Sequence, residues 1–218
     1  IGDIDLEPET SIELTAGVDW SGEDFRLTPE LYYRDVSDFI QGTPSTNQTA
    51  NMFAMMSTGK PPLQYGNVDA ELYGFDMGYE WQISDAFLLR GTLSYVRGKR
   101  SDEQDNLYRI APLTSVAELM YLRERWFVSA ESVAAASQDK VAAYNTEQET
   151  AGWGILNLRA AWRLNDMFNV GLGVENLFDK VYRDHLGGYN RVRESDVPMG
   201  ARMVSTGRNF YLKLNASW

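Results

Sequence analysis

The stretch that decides the fold is residues 208–218, which read RNFYLKLNASW. Its side chains alternate strictly, with Phe210 and Leu212 on one face and Tyr211 and Lys213 on the other. A period of two predicts a β-strand with one apolar and one polar face. The stretch also closes on an aromatic residue, and an amphipathic strand that ends on an aromatic is typical of a transmembrane β-barrel facing lipid.

The same alternation recurs in eight earlier segments of the chain, so that nine strands are predicted in total. Most are about ten residues long, the length that crosses a bilayer when a strand is tilted. The predicted strands cover residues 11–20, 25–34, 73–81, 87–95, 113–121, 126–134, 156–163, 168–175 and 208–218.

The connections alternate as well, because short turns follow the odd-numbered strands and longer loops follow the even-numbered ones. Outer-membrane barrels keep short turns on the periplasmic side and long loops outside. The four loops, all expected to be irregular, cover about residues 42–63, 98–106, 138–152 and 183–206. Pro29 lies inside the second strand and lacks the N–H that a sheet needs, so we expect a local bulge there.

Tryptophans and charges support the same reading. Five tryptophans stand beside a short turn or at residue 218, which predicts a periplasmic aromatic belt. They are Trp20, Trp81, Trp126, Trp162 and Trp218. Charged residues such as Arg90 and Glu131 fall on the opposite face, and a polar lumen is the environment that suits them in a membrane.

Composition excludes several classes of protein. The chain has 218 residues, a net charge of -11, one histidine and no cysteine. The acidic balance argues against nucleic acid as a partner, and the lack of cysteine excludes disulfides. The chain contains no run of 18 apolar residues, so no membrane-spanning helix is predicted. No signal peptide is recognisable, so we expect a processed chain or a fragment. A soluble β-sandwich binding module is the alternative fold, although it would not explain the rhythm of turns and loops.

Four motifs resemble those of TonB-dependent outer-membrane receptors. The resemblance implies an all-β fold, a transmembrane antiparallel β-barrel, of which residues 1–218 would supply about the last nine of 22 strands. It also implies an absent plug domain, a TonB complex bound through that missing N-terminal region, contact with outer-membrane lipid and lipopolysaccharide, and recognition of Trp218 by the barrel-assembly machinery. The motifs are DLEPETS at 5–11, YGNVDA followed by GFD within 65–76, VENLFDKVY at 174–182 and GRNFY at 207–211.

Function is predicted as import across the bacterial cell outer membrane. Nothing in the chain suggests a catalytic constellation, so we do not expect an enzyme. The transported substrate is expected to be a metal or a metal chelate, with copper favoured over a ferric siderophore. A passive, porin-like channel is the alternative membrane function, which the family motifs oppose.

The candidate metal ligands are Met52, Met55, Met56 and His185. Thioether sulfur is a soft ligand that favours copper(I). Residues 184–192 (DHLGGYNRV) and 200–202 (GAR) resemble the TonB-dependent copper receptor branch. The alternatives remain that the methionines fill space at an adaptable surface and that His185 is a loop histidine with satisfied hydrogen bonds. No resident cofactor is predicted, because copper would be cargo.

Overall fold

The computed structural model describes residues 5–58 and 62–217. Trp218, the predicted signal for barrel assembly, lies outside the described residues. Within the described residues the chain forms ten strands and one helix. The strands are β1 (Thr10–Gly17), β2 (Trp20–Ser21), β3 (Phe25–Pro44), β4 (Leu63–Ser84), β5 (Phe87–Arg100), β6 (Thr114–Leu122), β7 (Trp126–Ala135), β8 (Trp153–Arg163), β9 (Phe168–Glu175) and β10 (Asn209–Ala216), and the helix is α1 (Gln48–Thr58).

All strands belong to one antiparallel sheet in which each long strand pairs with the next one in the chain. The two-residue strand β2 pairs with β3 and continues the line of β1, so the sheet has nine long rows. This up-and-down order confirms the predicted all-β antiparallel barrel architecture, of which the described residues form an open part.

The two faces of the sheet differ as the alternation predicts. Large apolar side chains cover the outer face and stay open to the surroundings, with Ile12 80%, Phe210 72% and Leu214 71% exposed. The opposite, inner face carries charged pairs such as Arg26 with Asp19, whose side chains meet at 2.6 Å. The sandwich alternative requires a second sheet against the apolar face, whereas the described strands form a single sheet.

Tryptophans collect at one rim. Trp20 and Trp81 stand beside the turns that join β2 to β3 and β4 to β5, and Trp126 pairs with Trp162 beside the turns of β6–β7 and β8–β9. Each is at least 40% exposed. Because these four turns occupy one edge of an up-and-down sheet, the expected common layer of tryptophans is present.

The predicted bulge at Pro29 was wrong. Pro29 pairs with Met77 in an uninterrupted register, and the irregularity comes later, between Val36 and Phe39. Pro29 accepts a hydrogen bond from the N–H of Val18 at 3.0 Å and has no N–H to return. Because Pro29 cannot donate a hydrogen bond to the opposite strand, that strand is interrupted there, between β1 and β2.

The prediction of an irregular loop over residues 42–63 was also wrong. Strands β3 and β4 continue their pairing to Pro44 and Leu63, and α1 lies between them. Asn47 caps the helix, because its Oδ1 accepts the N–H of Ala50 at 3.0 Å. A helix is recognised in a sequence mainly when it buries one apolar face. This helix was not predicted because α1 is mostly exposed at the tip of the hairpin.

A small apolar core lies at the loop end of the sheet. Val36, Val68, Ala70 and Leu107 are buried there, with Ile110 packed against them. Val36 lies two residues beyond Arg34 in β3, so by alternation it belongs to the inner face. The connection between β5 and β6 consequently folds inward over the lumen side of β3 and β4.

Candidate functional site

Two arginines bridge two carboxylates across four strands of the inner face. Glu118 and Glu131 stand directly opposite each other in β6 and β7, an arrangement that destabilises a sheet when the charges are alike. Arg90 binds Glu118 through Nε at 3.0 Å and Nη2 at 2.8 Å. Arg159 reaches both carboxylates, with Nη2 at 2.7 Å from Glu131 and Nη1 at 3.7 Å from Glu118. The arrangement gives this part of the inner face a polar network of paired charges.

Two of the three long loops beyond the sheet, the one after β5 and the one after β7, are fastened to each other through Asp105. Its Oδ1 accepts the N–H of Ala143 at 3.0 Å, and its Oδ2 accepts the N–H of Tyr144 at 3.0 Å. Burial alone would raise the pKa of Asp105, but these backbone donors and the N–H of Asn106 outweigh it and leave the pKa below its usual value. Burial raises the pKa of Tyr144 to about 12, so this phenol is protonated at neutral pH.

The loops that follow β5, β7 and β9 (residues 101–113, 136–152 and 176–208) are together called the loop cap, and His185 lies inside it. Its side chain is 1% exposed, and that of Glu147 is 0% exposed. Nδ1 shares a hydrogen bond with Thr150 Oγ1 at 2.9 Å. Nε2 lies 3.2 Å from Glu147 Oε1, without the alignment of a hydrogen bond. The imidazole therefore ties the loop after β9 to the loop after β7.

Glu147 and Arg202 complete the anchoring around His185. The carboxylate of Glu147 accepts the N–H groups of Arg109 and Ala142, both at 3.0 Å. Arg202 donates to the carbonyl of His185 and, at 2.7 Å, to the hydroxyl of Tyr189. Reasoning from sequence missed Glu147, because its partners lie far apart along the chain and no local pattern marks it. Arg202 belongs to the GAR motif at residues 200–202, but the motif did not predict its contacts with His185 and Tyr189.

The motif VENLFDKVY forms a turn that leads the chain out of β9. Asn176 is 2% exposed and has a φ of 50°, a conformation that asparagine tolerates better than most residues. Its Oδ1 accepts the N–H of Lys180 at 2.8 Å, and its Nδ2 donates to the carbonyl of Lys180 at 2.9 Å. Asp179 then accepts the N–H of Arg208 at 2.8 Å. The motif thus sets the path of the last loop into β10.

The three candidate methionine ligands lie on α1. Met52, Met55 and Met56 are 57%, 50% and 62% exposed. Their spacing of three and four residues gives them one helix face. The hairpin that carries α1 extends seven residues past the last pair of β4 and β5, about 20 Å at the rise of a strand. Three thioethers are therefore displayed together at the tip of the longest hairpin.

The structure does not join His185 to these methionines. The hydrogen-bond and ion-pair partners that it gives His185, Thr150 and Glu147, belong to the loop cap. In residues 5–58 and 62–217, no group of three or more His, Asp or Glu side chains could hold a metal ion. The four candidate ligands thus divide into an exposed thioether face and a buried imidazole. No helix within the same residues is long and apolar enough to cross a membrane.

Known proteins can now be compared with this arrangement. A family model described as "TonB dependent receptor-like, beta-barrel" matches residues 1–177. Comparison with curated protein sequences gives no match.

Among solved structures, the copper transporter OprC superimposes with a TM-score of 0.87 and 25% identity, covering 98% of this chain and 32% of that one. The FrpB iron transporter from Neisseria meningitidis gives 0.69 and 15% identity, with 97% and 32% coverage. The ferric enterobactin receptor PfeA from Pseudomonas aeruginosa gives 0.69 and 21% identity, with 96% and 31% coverage.

The chain spans about a third of the length of these three proteins. Its sheet, its two-faced strands and its alternating turns and loops agree with the model that matches residues 1–177. The chain belongs to the TonB-dependent receptor-like β-barrel family.

Proposed function

We propose that the receptor of which this chain is a part imports copper across the bacterial outer membrane, with α1 as a capture site for copper(I). The observation that carries the proposal is the display of Met52, Met55 and Met56 on one exposed helix face. Thioethers are neutral, soft ligands that prefer copper(I) to magnesium or calcium. They also need no deprotonation before they bind.

Charge and likeness support the same cargo. A net charge of -11 gives the chain a field that favours cations over anions. The likeness to the copper transporter, at a TM-score of 0.87, exceeds that to the two iron receptors, at 0.69 each. In this proposal His185 has a structural role, because it is buried inside the loop cap beside Thr150 and Glu147, and α1 delivers copper to a tighter site elsewhere in the receptor.

Import of a ferric siderophore is the second candidate, and the likeness to FrpB and PfeA favours it. An anionic ferric chelate would be drawn to basic and aromatic loop residues, and the thioethers of α1 would contribute nothing to its binding. The methionine face therefore separates the two substrates. Membership of the receptor family argues against a passive, porin-like channel.

The proposed partners follow from the family. Energy would come from the TonB complex through a region outside this chain, and lipid and lipopolysaccharide would surround the apolar face. The rim with the short turns would face the periplasm, and α1 would face the cell exterior. Trp218, as an aromatic at the lipid interface, would be the residue that the barrel-assembly machinery recognises.

The test is replacement of Met52, Met55 and Met56 by leucine in the full-length receptor, which keeps apolar bulk and removes sulfur. Met167→Leu is the matched control, because Met167 is 48% exposed in the short turn at the opposite rim. Copper(I) affinity is measured by competition with a chromophoric chelator from pH 5 to pH 7, and copper uptake by cells.

We expect the triple variant to lose at least tenfold in affinity and the control to match the parent. Parental binding should change little with pH, since thioethers do not titrate, whereas an imidazole ligand would weaken as it protonates near pH ~6.5. Equal copper binding and uptake by the parent and the triple variant would contradict the capture role. Uptake of a ferric chelate in place of copper would favour the second candidate.

A further inference from the structure

The apolar face of the sheet is not flat. It holds a depression of about 530 Å³ lined almost wholly by apolar side chains. Small side chains form its floor, since Ala130 pairs with Leu119 and Leu158, and Ala160 pairs with Val128 and Leu172. The larger partners stand on either side of the alanines. A groove thus runs along the outer surface of β6, β7 and β8.

This groove continues to the rim with the short turns. A second depression of about 320 Å³ shares Val128, Ala160 and Leu172 with the first and reaches Trp126 and Trp162. From the level of Leu158 to that of Trp162 the distance is about 13 Å at the rise of a strand. The shape suits one extended hydrocarbon chain that enters at the rim and runs toward the middle of the sheet.

A cation stands at the rim end of the groove. Arg123 has its guanidinium 4.4 Å from the ring centroid of Tyr121 and donates a hydrogen bond to that hydroxyl. Tyr121 itself lines the groove, so Arg123 leans onto the outer face. Among the ion pairs of residues 5–58 and 62–217, none includes Arg123. The acidic residues of the nearby turns are Asp85, Glu124 and Asp166, and none of these three forms one of those ion pairs with Arg123.

We propose that this groove binds a phospholipid, with an acyl chain along Ala130 and Ala160 and the phosphate on Arg123. The groove supplies apolar contact and Arg123 supplies the donors that a phosphate oxygen accepts. The inference rests on the proposed outer-membrane location. Phospholipid is the expected occupant because the short-turn rim would then face the periplasmic leaflet. A second copy of the chain fits poorly, because a symmetric contact would set one concave surface against another and leave a void.

The experiment uses the full-length receptor in detergent, incubated with dioleoyl phosphatidylglycerol and examined by native mass spectrometry. Arg123→Gln removes the cation, and Ala130→Leu with Ala160→Leu fills the groove. Leucine on a lipid-facing strand is compatible with barrel folding, and heat-modifiable migration on gels verifies the fold of each variant. Arg125→Gln is the matched charge control, since alternation from Trp126 directs Arg125 to the inner face. Ala16→Leu is the matched volume control on the outer face of β1.

We expect each groove variant to retain at least threefold less phosphatidylglycerol than the parent and both controls to retain as much as the parent. Equal retention by folded parent and groove variants overturns the lipid site alone. So does a groove that takes up only lipopolysaccharide, or a lipid-free dimer that the filling variants dissociate. Recovery of the receptor without detergent overturns the outer-membrane location, and the lipid site with it.

Discussion

His185 and Glu147 stand 3.2 Å apart with both side chains almost fully withdrawn from solvent. They join the loop after β9 to the loop after β7, although 38 positions separate them in the sequence. The pair is the centre of the loop cap, which also depends on Thr150, Arg202 and the backbone N–H of Ala142.

His185→Ala should loosen the cap without affecting copper(I) capture. The change removes the partner of Thr150 and leaves Glu147 with its backbone donors alone, at a cost of about 1–3 kcal/mol for local opening. Hydrogen exchange at the amides of Arg109 and Ala142 should then become faster, while exchange in β6 and β7 stays unchanged. Loss of copper(I) affinity with intact protection of these amides would instead make His185 a metal ligand.

Asp105 should make the loop cap sensitive to acid. Its pKa is lowered from 3.8 in the folded chain, so the stability it contributes is complete above pH ~4 and is lost as the pH falls through the lowered value. Cleavage of the loops by pepsin should accelerate between pH 4 and pH 2.

Asp105→Asn tests that dependence. The variant should be more open at neutral pH, because the amide is a weaker acceptor than a carboxylate for the N–H groups of Ala143 and Tyr144, and its pH dependence should be flatter. Asp139→Asn is the control, since this exposed carboxylate pairs only with its neighbour Lys140. An acid response that Asp105→Asn leaves unchanged would assign it to another group.

Arg159→Met should destabilise the barrel wall. The variant leaves Glu131 without its arginine and sets it opposite Glu118, so we expect a loss of about 1–3 kcal/mol. The temperature at which the full-length barrel loses its heat-modifiable form should fall.

Arg26→Met is the comparison, because Arg26 and Asp19 are 62% and 57% exposed. Exposed pairs contribute little to stability, so this variant should melt close to the parent. Equal shifts in melting temperature for both variants would mean that the position of Arg159 between two carboxylates gives it no larger contribution to stability than an exposed ion pair has.

Gly98→Ala should push the inward loop away from the sheet. A Cβ atom there would lie 2.8 Å from Cδ1 of Ile110 and 3.0 Å from Cδ1 of Leu107, closer than carbon atoms pack. Leu107 is fully buried, so the loop between β5 and β6 must shift, and limited proteolysis should cut it faster. Gly66→Ala is the control, since a Cβ there meets nothing within 4 Å. Identical cleavage of both variants would show that the loop accommodates the methyl group.

Sequence alone determined the nine rows of the sheet, the short turns and the two faces, but not the extension of β3 to Pro44 or the start of β4 at Leu63. Those features are local, because side chains two positions apart share a face whatever the rest of the chain does. The alternation over residues 208–218 and its eight repeats therefore predicted the rows of the sheet, and turn length predicted which ends of the strands meet. The tryptophan rim followed from the same positions.

Tertiary structure decided what happens beyond the strand ends. The register shift lies between Val36 and Phe39 and not at Pro29. The N–H that Pro29 lacks interrupts the opposite strand instead, between β1 and β2. Residues 48–58 form a helix whose apolar residues at helical spacing include Met52, Met55 and Met56, and α1 exposes that face and buries no continuous one. His185 is buried beside Glu147 and Thr150, which belong to another loop. These partners are 35 or more residues away in the sequence, so no local periodicity could predict the contacts. The alternation in the sequence therefore predicted the strands, whereas only the folded loops determine which candidate ligands are exposed to solvent.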